Sequence, residues 1–155
     1  MHVLQSAERQ RTANLRIADT GTALGRGVFA PRGFSHGEVV EIAPVILLEE
    51  PFRGLPLHVQ RVVFNWGRGP DSKPIFALVL GCGSIYNHSD RPNLRYQADH
   101  ERQAMIFTAT RNIERGEQLT VSYDQVPEGA PPRAKSWFER NHIEKLDLDG
   151  SEAKR

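Results

Sequence analysis

From Leu15 onward the chain is a succession of short apolar runs broken by glycine, proline and polar clusters. Residues 28–30, 39–42 and 45–48 are rich in branched apolar side chains and bounded by Pro31, Gly37 and Pro44, which predicts strands. Residues 94–98 and 104–108 flank the polar stretch 99–103 and predict a hairpin, and residues 119–123 predict one more short strand. The period changes at residues 56–66. There Leu57, Val59, Val62, Val63 and Trp66 form an approximate helical face behind Pro56, with Gly67 as a stop, so one short inserted helix is expected. A C-terminal helix is expected over residues 135–146, where Trp137, Ile143 and Leu146 are apolar, after the linker VPEGAPPRA at residues 126–134. The pattern therefore predicts a mainly β domain over residues 15–125, a flexible stretch at 1–14, a linker and helix over 126–148, and a loose tail at 149–155.

A weak internal repeat overlies this pattern. Ala30, Arg32, Phe34, Gly37, Glu38 and Val40 match Ala109, Arg111, Ile113, Gly116, Glu117 and Leu119 as A-x-R-x-Φ-x-x-G-E-x-Φ, where Φ is apolar. In each copy a strand ends, a glycine turn follows and another strand starts, so two related β units are expected. No chemistry follows from the repeat itself.

Composition changes the picture only by exclusion. With 155 residues, 39% of them hydrophobic, the chain suffices for one core. Twenty basic against 19 acidic residues leave a net charge of +1, which gives no global field for nucleic acid. Arg9, Arg11 and Arg16 are the nearest approach to a basic cluster and are sparse, so direct nucleic-acid binding is not expected. Cys82 is the single cysteine, which excludes an internal disulfide and a cysteine zinc cluster. The first twenty residues lack the apolar core of a secretory signal, and the longest apolar run, residues 75–80, is too short to cross a bilayer. An intracellular, cytoplasmic protein is the expectation, with a nuclear or chromatin-associated location left open.

Three segments could carry chemistry. Gly25-Arg26-Gly27 precedes a strand, where two glycines let a ligand approach the main chain; an ordinary turn reads the same way. Asn87-His88-Ser89-Asp90-Arg91-Pro92-Asn93 follows a buried run and is built of residues that bond their own backbone, so it could be simply an elaborate loop. His88 alone could be a metal ligand or a base, but no second ligand stands at helical spacing, so no metal is expected. Gly116-Glu117-Gln118-Leu119-Thr120-Val121-Ser122-Tyr123 ends on a tyrosine that could face a pocket or be core with a wet tip.

Taken together and in this order, G-x-G, N-H-S-x-x-P-N and G-E-x-L-T-x-x-Y resemble the SET-domain protein lysine methyltransferases, over residues 15–124 and more loosely through Trp137. The resemblance implies a β-clip fold of short curled sheets with a pseudoknot, completed by the segment 126–148. It implies S-adenosyl-L-methionine as cofactor, S-adenosyl-L-homocysteine as product, no metal, and a protein or peptide lysine as substrate. Residue by residue, it implies cofactor contacts from Gly25, Arg26 and Gly27, from the Asn87 side chain and from the His88 backbone against adenine. Trp137 would pack on the adenine, although a plain hydrophobic anchor fits that position as well. Tyr123 would stand at the methyl-transfer point, where it also touches the cofactor, and Tyr96 would be a second tyrosine of the lysine channel. Ser89 and Asn93 would be loop braces.

The chain departs from the pattern in places. Asp90 replaces a frequent cysteine, no cysteine cluster follows Tyr123, no tyrosine stands near Ala43, and Val121 occupies a position that can tune the number of methyls. These departures bear on substrate and product rather than on the cofactor. The rival reading is a catalytically silent module of the same fold that binds a peptide or protein partner.

Overall fold

The computed structural model describes residues 14–126 and 131–148. The flexible N-terminus, the loose tail and the middle of the linker expected from sequence lie outside the described residues, apart from Asn14. The described chain is mainly strand, with nine strands, two short α-helices and one 3-10 turn at Phe52–Gly54. It divides into two compact units, the first containing residues 39–84 and 96–108, the second residues 15–38, 85–95 and 109 onward.

The first unit holds most of a five-stranded sheet. Its strands are β3 (Val39–Leu48), β4 (Val63–Arg68), β5 (Pro74–Val79), β7 (Leu94–Asp99) and β8 (Ala104–Ala109), in the order β4-β5-β3-β8-β7. The two strands expected at residues 39–42 and 45–48 are one, running through Pro44. Residues 39–44 pair with β8, and residues 45–48 pair with β5 on the other side. Pro44 sits at that handover, where its missing N–H costs the ladder little.

The helix expected over residues 56–66 is a single turn, α1 (Leu57–Gln60), and after a turn at Arg61 and Val62 the chain enters strand β4 at Val63. The apolar positions there also fit a period of two. Phe64 packs its edge on Tyr96 and Phe107, and Trp66 packs on His100, while Asn65 between them is exposed. The β-branched Val63, the aromatic Phe64 and Trp66 and a ready partner in β5 favour the extended form. The hairpin β7–β8 forms as expected.

The second unit is built on a four-stranded sheet of β1 (Arg16–Asp19), β2 (Arg26–Phe29), β9 (Gln118–Val121) and β6 (Asn87–His88), in the order β1-β2-β9-β6. β2 and β9 run antiparallel, whereas β6 and β9 run parallel. The internal repeat is a structural duplication inside this unit. Phe34 and Ile113 exchange both backbone hydrogen bonds, at 2.9 and 2.8 Å. Ala30 donates to Glu117 and accepts from Gly116, and Ala109 donates to Glu38 and accepts from Gly37 in the same way. Arg32 pairs with Glu38 at 2.7 Å as Arg111 pairs with Glu117 at 3.1 Å. Gly37 and Gly116 take φ of +84° and +88°, a region in which a side chain would be strained.

Candidate functional site

Gly25 closes a turn that begins at Thr20, whose amide and hydroxyl donate to the Gly25 carbonyl at 2.7 and 2.6 Å. Its φ of +76° requires glycine, and a Cβ there would meet open space. Arg26 and Gly27, read from sequence as part of the turn, are already in β2. Gly27 is needed for room. A Cβ on it would lie 2.7 Å from Gln118 Oε1 and 3.0 Å from Thr20 Cγ2.

That glutamine links the glycine segment to the Asn-His pair. Asn87 Nδ2 donates to Gln118 Oε1 at 2.7 Å and to the Arg26 carbonyl at 3.1 Å, so one amide ties β6 to both β2 and β9. Both amide hydrogens are committed, and Oδ1 is left as acceptor. Gly27→Ala is therefore expected to push Gln118 off Asn87 and to weaken any ligand held there by about tenfold. Calorimetric titration of the variant against the unaltered chain checks this.

His88 is buried beside Asn87. Its Nδ1 accepts the Tyr123 amide at 3.0 Å, which places the proton on Nε2, and Nε2 lies 3.1 Å from Asp90 Oδ1. Burial lowers its pKa, opposed by the hydrogen bond to Asp90, so the ring is neutral near pH 7 and this contact is a hydrogen bond rather than an ion pair. The main chain has a separate role. Ser89 N–H donates to the Val121 carbonyl at 2.9 Å. In a parallel ladder of that phase the N–H and C=O of His88 itself point away from β9.

Tyr123 lies in a turn two residues beyond β9 rather than at the strand end, and its hydroxyl donates to the Tyr86 carbonyl at 2.8 Å. Burial pushes the phenol up to about 12. The ring joins an aromatic cluster: 4.8 Å from Trp137, 5.8 Å and nearly parallel to Phe138, and 5.3 Å from His88. Trp137 begins α2 (Trp137–Asn141), much shorter than the helix expected over residues 135–146. Ser136 and Glu139 cap its start reciprocally, and the left-handed His142 at φ +53° ends it. Asp124 Oδ1 accepts the Trp137 amide at 2.5 Å and ties this helix to the turn that carries Tyr123.

Asn93 acts as the brace expected. Its buried side chain accepts from Thr120 N–H at 2.9 Å and donates to the Gln118 carbonyl at 2.8 Å. Ser89 Oγ caps the Arg91 amide at 3.0 Å. Tyr96 belongs to the first unit, with its ring 5.0 Å from Phe64 and 6.2 Å from Phe107.

A cavity of about 540 Å³ opens beside His88, between residues 88–91 and 145–148, within the size range of small-molecule sites. Among the described residues no group of histidine, cysteine and carboxylate side chains could hold a metal ion. Burial, with Glu41 nearby, raises the Cys82 thiol to about 11, so it is no nucleophile at neutral pH. No helix among the described residues is long and apolar enough to cross a membrane.

The sequence reading missed Gln118, Asp124, Phe138 and Lys145. A signal existed for one of them, since Ser136-Trp137-Phe138-Glu139 is a capping-box pattern that fixes where the helix starts and brings Phe138 inward.

Comparison with known proteins agrees with this geometry. The SET domain family matches residues 25–124. A Schizosaccharomyces pombe histone-lysine N-methyltransferase, specific for H3 lysine-37, is 32% identical over 114 residues, which cover 70% of this chain and 72% of that protein. The crystal structure of a Plasmodium falciparum histone methyltransferase candidate superimposes with a TM-score of 0.56 at 28% identity, covering 72% of this chain and 94% of that one. A humanized Chaetomium thermophilum Polycomb Repressive Complex 2 gives a TM-score of 0.56 at 20% identity, over 73% of this chain and 15% of that one, a likeness of fold. With its three motifs gathered on one sheet and in the turn that follows it, the chain belongs to the SET domain family, whose matched relatives include a histone-lysine methyltransferase.

Proposed function

We propose that this protein transfers a methyl group from S-adenosyl-L-methionine to a lysine side chain of a protein substrate, with a histone H3 tail as the first substrate to test. The observation that carries the reading is the convergence in the second unit. The glycine segment, Asn87-His88 and Tyr123 come from three distant stretches of sequence and meet around β2, β9 and β6.

The residues fit the cofactor. Open space at Gly25 admits a ligand against the main chain, Asn87 Oδ1 can accept from the ammonium of the methionine end, and the outward N–H and C=O of His88 suit the N7 and N6 edge of adenine. Trp137, packed on Tyr123, offers an aromatic wall. When bound, the cofactor supplies an electrophilic methyl on a sulfonium.

The protein's part is placement. Lysine in water has a pKa near 10.4 and is protonated at neutral pH. In the narrow apolar channel that the resemblance implies, burial would disfavour the ammonium form, so that the amine could lose its proton to water before it attacks. Tyr123 contributes an oxygen rather than a base. Its proton is committed to the Tyr86 carbonyl, so its lone pairs can receive weak C–H···O contacts from the methyl and orient the amine. Tyr96 is assigned to the lysine channel by resemblance. Holding both reactants in line can supply several kcal/mol, on the order of 7 or more in favourable systems.

Calorimetric titration with S-adenosyl-L-homocysteine tests the reading against the silent module. One binding site is expected, and Asn87→Ala should weaken it about tenfold, the scale of one good polar contact. Absence of binding by the unaltered chain would favour the silent module, and an unchanged affinity in the Asn87 variant would remove that residue from the site.

A further inference from the structure

Residues 143–148 follow the left-handed end of α2, and none of them is buried. Apolar burial therefore holds this segment weakly. Yet it forms one side of the cavity beside His88. A polar tie crosses to the other side. Lys145 Nζ lies 2.5 and 2.6 Å from the two carboxylate oxygens of Asp90, a residue 55 positions earlier in the chain. Asp90 Oδ1 also contacts His88 Nε2 at 3.1 Å, and the ammonium stands 5.9 Å from the Phe138 ring centroid.

We propose that Asp90 and Lys145 form a clasp that docks the C-terminal segment on the loop after β6 and so shapes the cavity beside His88. Both act as positioning residues, through the cavity wall rather than on the reactants. The cavity half of this proposal rests on the cofactor reading above; the docking half does not. The Asp90 side chain is 63% exposed and Lys145 31%, and single exposed pairs contribute little. Contact with both carboxylate oxygens and the third partner at His88 give this pair its leverage, beside a backbone bridge at Leu146 and the half-buried side chains of Ile143 and Leu146. Asp90 is held below the usual carboxylate range, first by the Lys145 hydrogen bond, in keeping with a closed clasp.

Hydrogen exchange of residues 137–148 in the full chain, without cofactor, reads the docking directly. Lys145→Gln and Asp90→Asn are expected to exchange about two- to fivefold faster there, and Lys145→Arg, which keeps the charge, at close to the unaltered rate. Raising salt from about 0.05 M to about 0.5 M should speed exchange in the unaltered chain and leave Lys145→Gln nearly unchanged. The affinity of Lys145→Gln for S-adenosyl-L-homocysteine should fall by a similar factor. Unchanged exchange in Lys145→Gln or equal exchange in the Arg and Gln variants would overturn the clasp, and faster exchange with unaltered affinity would overturn its part in the cavity. An unaltered chain that does not bind S-adenosyl-L-homocysteine would contradict the cofactor reading instead, and the exchange rates would still decide the docking.

Discussion

Replacing Tyr123 with phenylalanine is expected to lower kcat about 100-fold while leaving the affinity for S-adenosyl-L-homocysteine within about threefold, the scale of losing one group aligned on the transition state. The ring keeps its aromatic neighbours Trp137, Phe138 and His88, so the wall of the site survives. What goes is the oxygen oriented by the Tyr86 carbonyl. Single-turnover rates and titration of the same variant separate the two effects, and turnover equal to the unaltered chain would defeat the role. Burial also ties this hydroxyl to stability at high pH. The folded phenol, at about 12, lies above the unfolded value near 10. The fold therefore keeps this contribution below about pH 10 and loses it, up to about 3 kcal/mol, as pH rises through the folded value. Alkaline denaturation should be shallower in Tyr123→Phe over that window.

The largest stability effect is expected from Phe138→Ala. Phe138 is buried, edge-on to His88 at 4.8 Å and to Trp137 at 5.1 Å, and nearly parallel to Tyr123. Its carbonyl accepts the Ile143 amide that ends α2. Truncation removes the piece that packs the C-terminal segment onto Tyr123 and should cost about 3 kcal/mol. Cofactor affinity should fall with it, because Trp137 loses its neighbour. Denaturant unfolding measures the first effect and titration the second. A loss below about 1 kcal/mol would mean that the cluster contributes little to the fold.

Much of the architecture was legible because its signals are local. Glycine and proline marked the strand ends, and the repeat marked a duplication whose backbone hydrogen bonds the two copies exchange. The candidate site was legible only in combination, because each motif alone also reads as a turn, a loop or core and only their shared order carries the resemblance. The errors lie where one pattern serves two structures. Residues 63–66 satisfy both a helical face and a strand alternation, and pairing with β5, which sequence does not display, decides for the strand. Pro44 looked like a strand end, because only the change of pairing partner makes it tolerable inside one. Gln118, Asp124 and Lys145 act through partners far along the chain, so no window of sequence reveals them.

The most direct test of the central claim is methyl transfer itself, followed by tandem mass spectrometry after incubating the protein with isotopically labelled S-adenosyl-L-methionine and histone H3 or a cell lysate. Labelled methyl on the Nζ of lysine, lost in Tyr123→Phe, is the predicted result. A chain that binds S-adenosyl-L-homocysteine yet leaves every lysine unlabelled, or that labels another residue type, would contradict it.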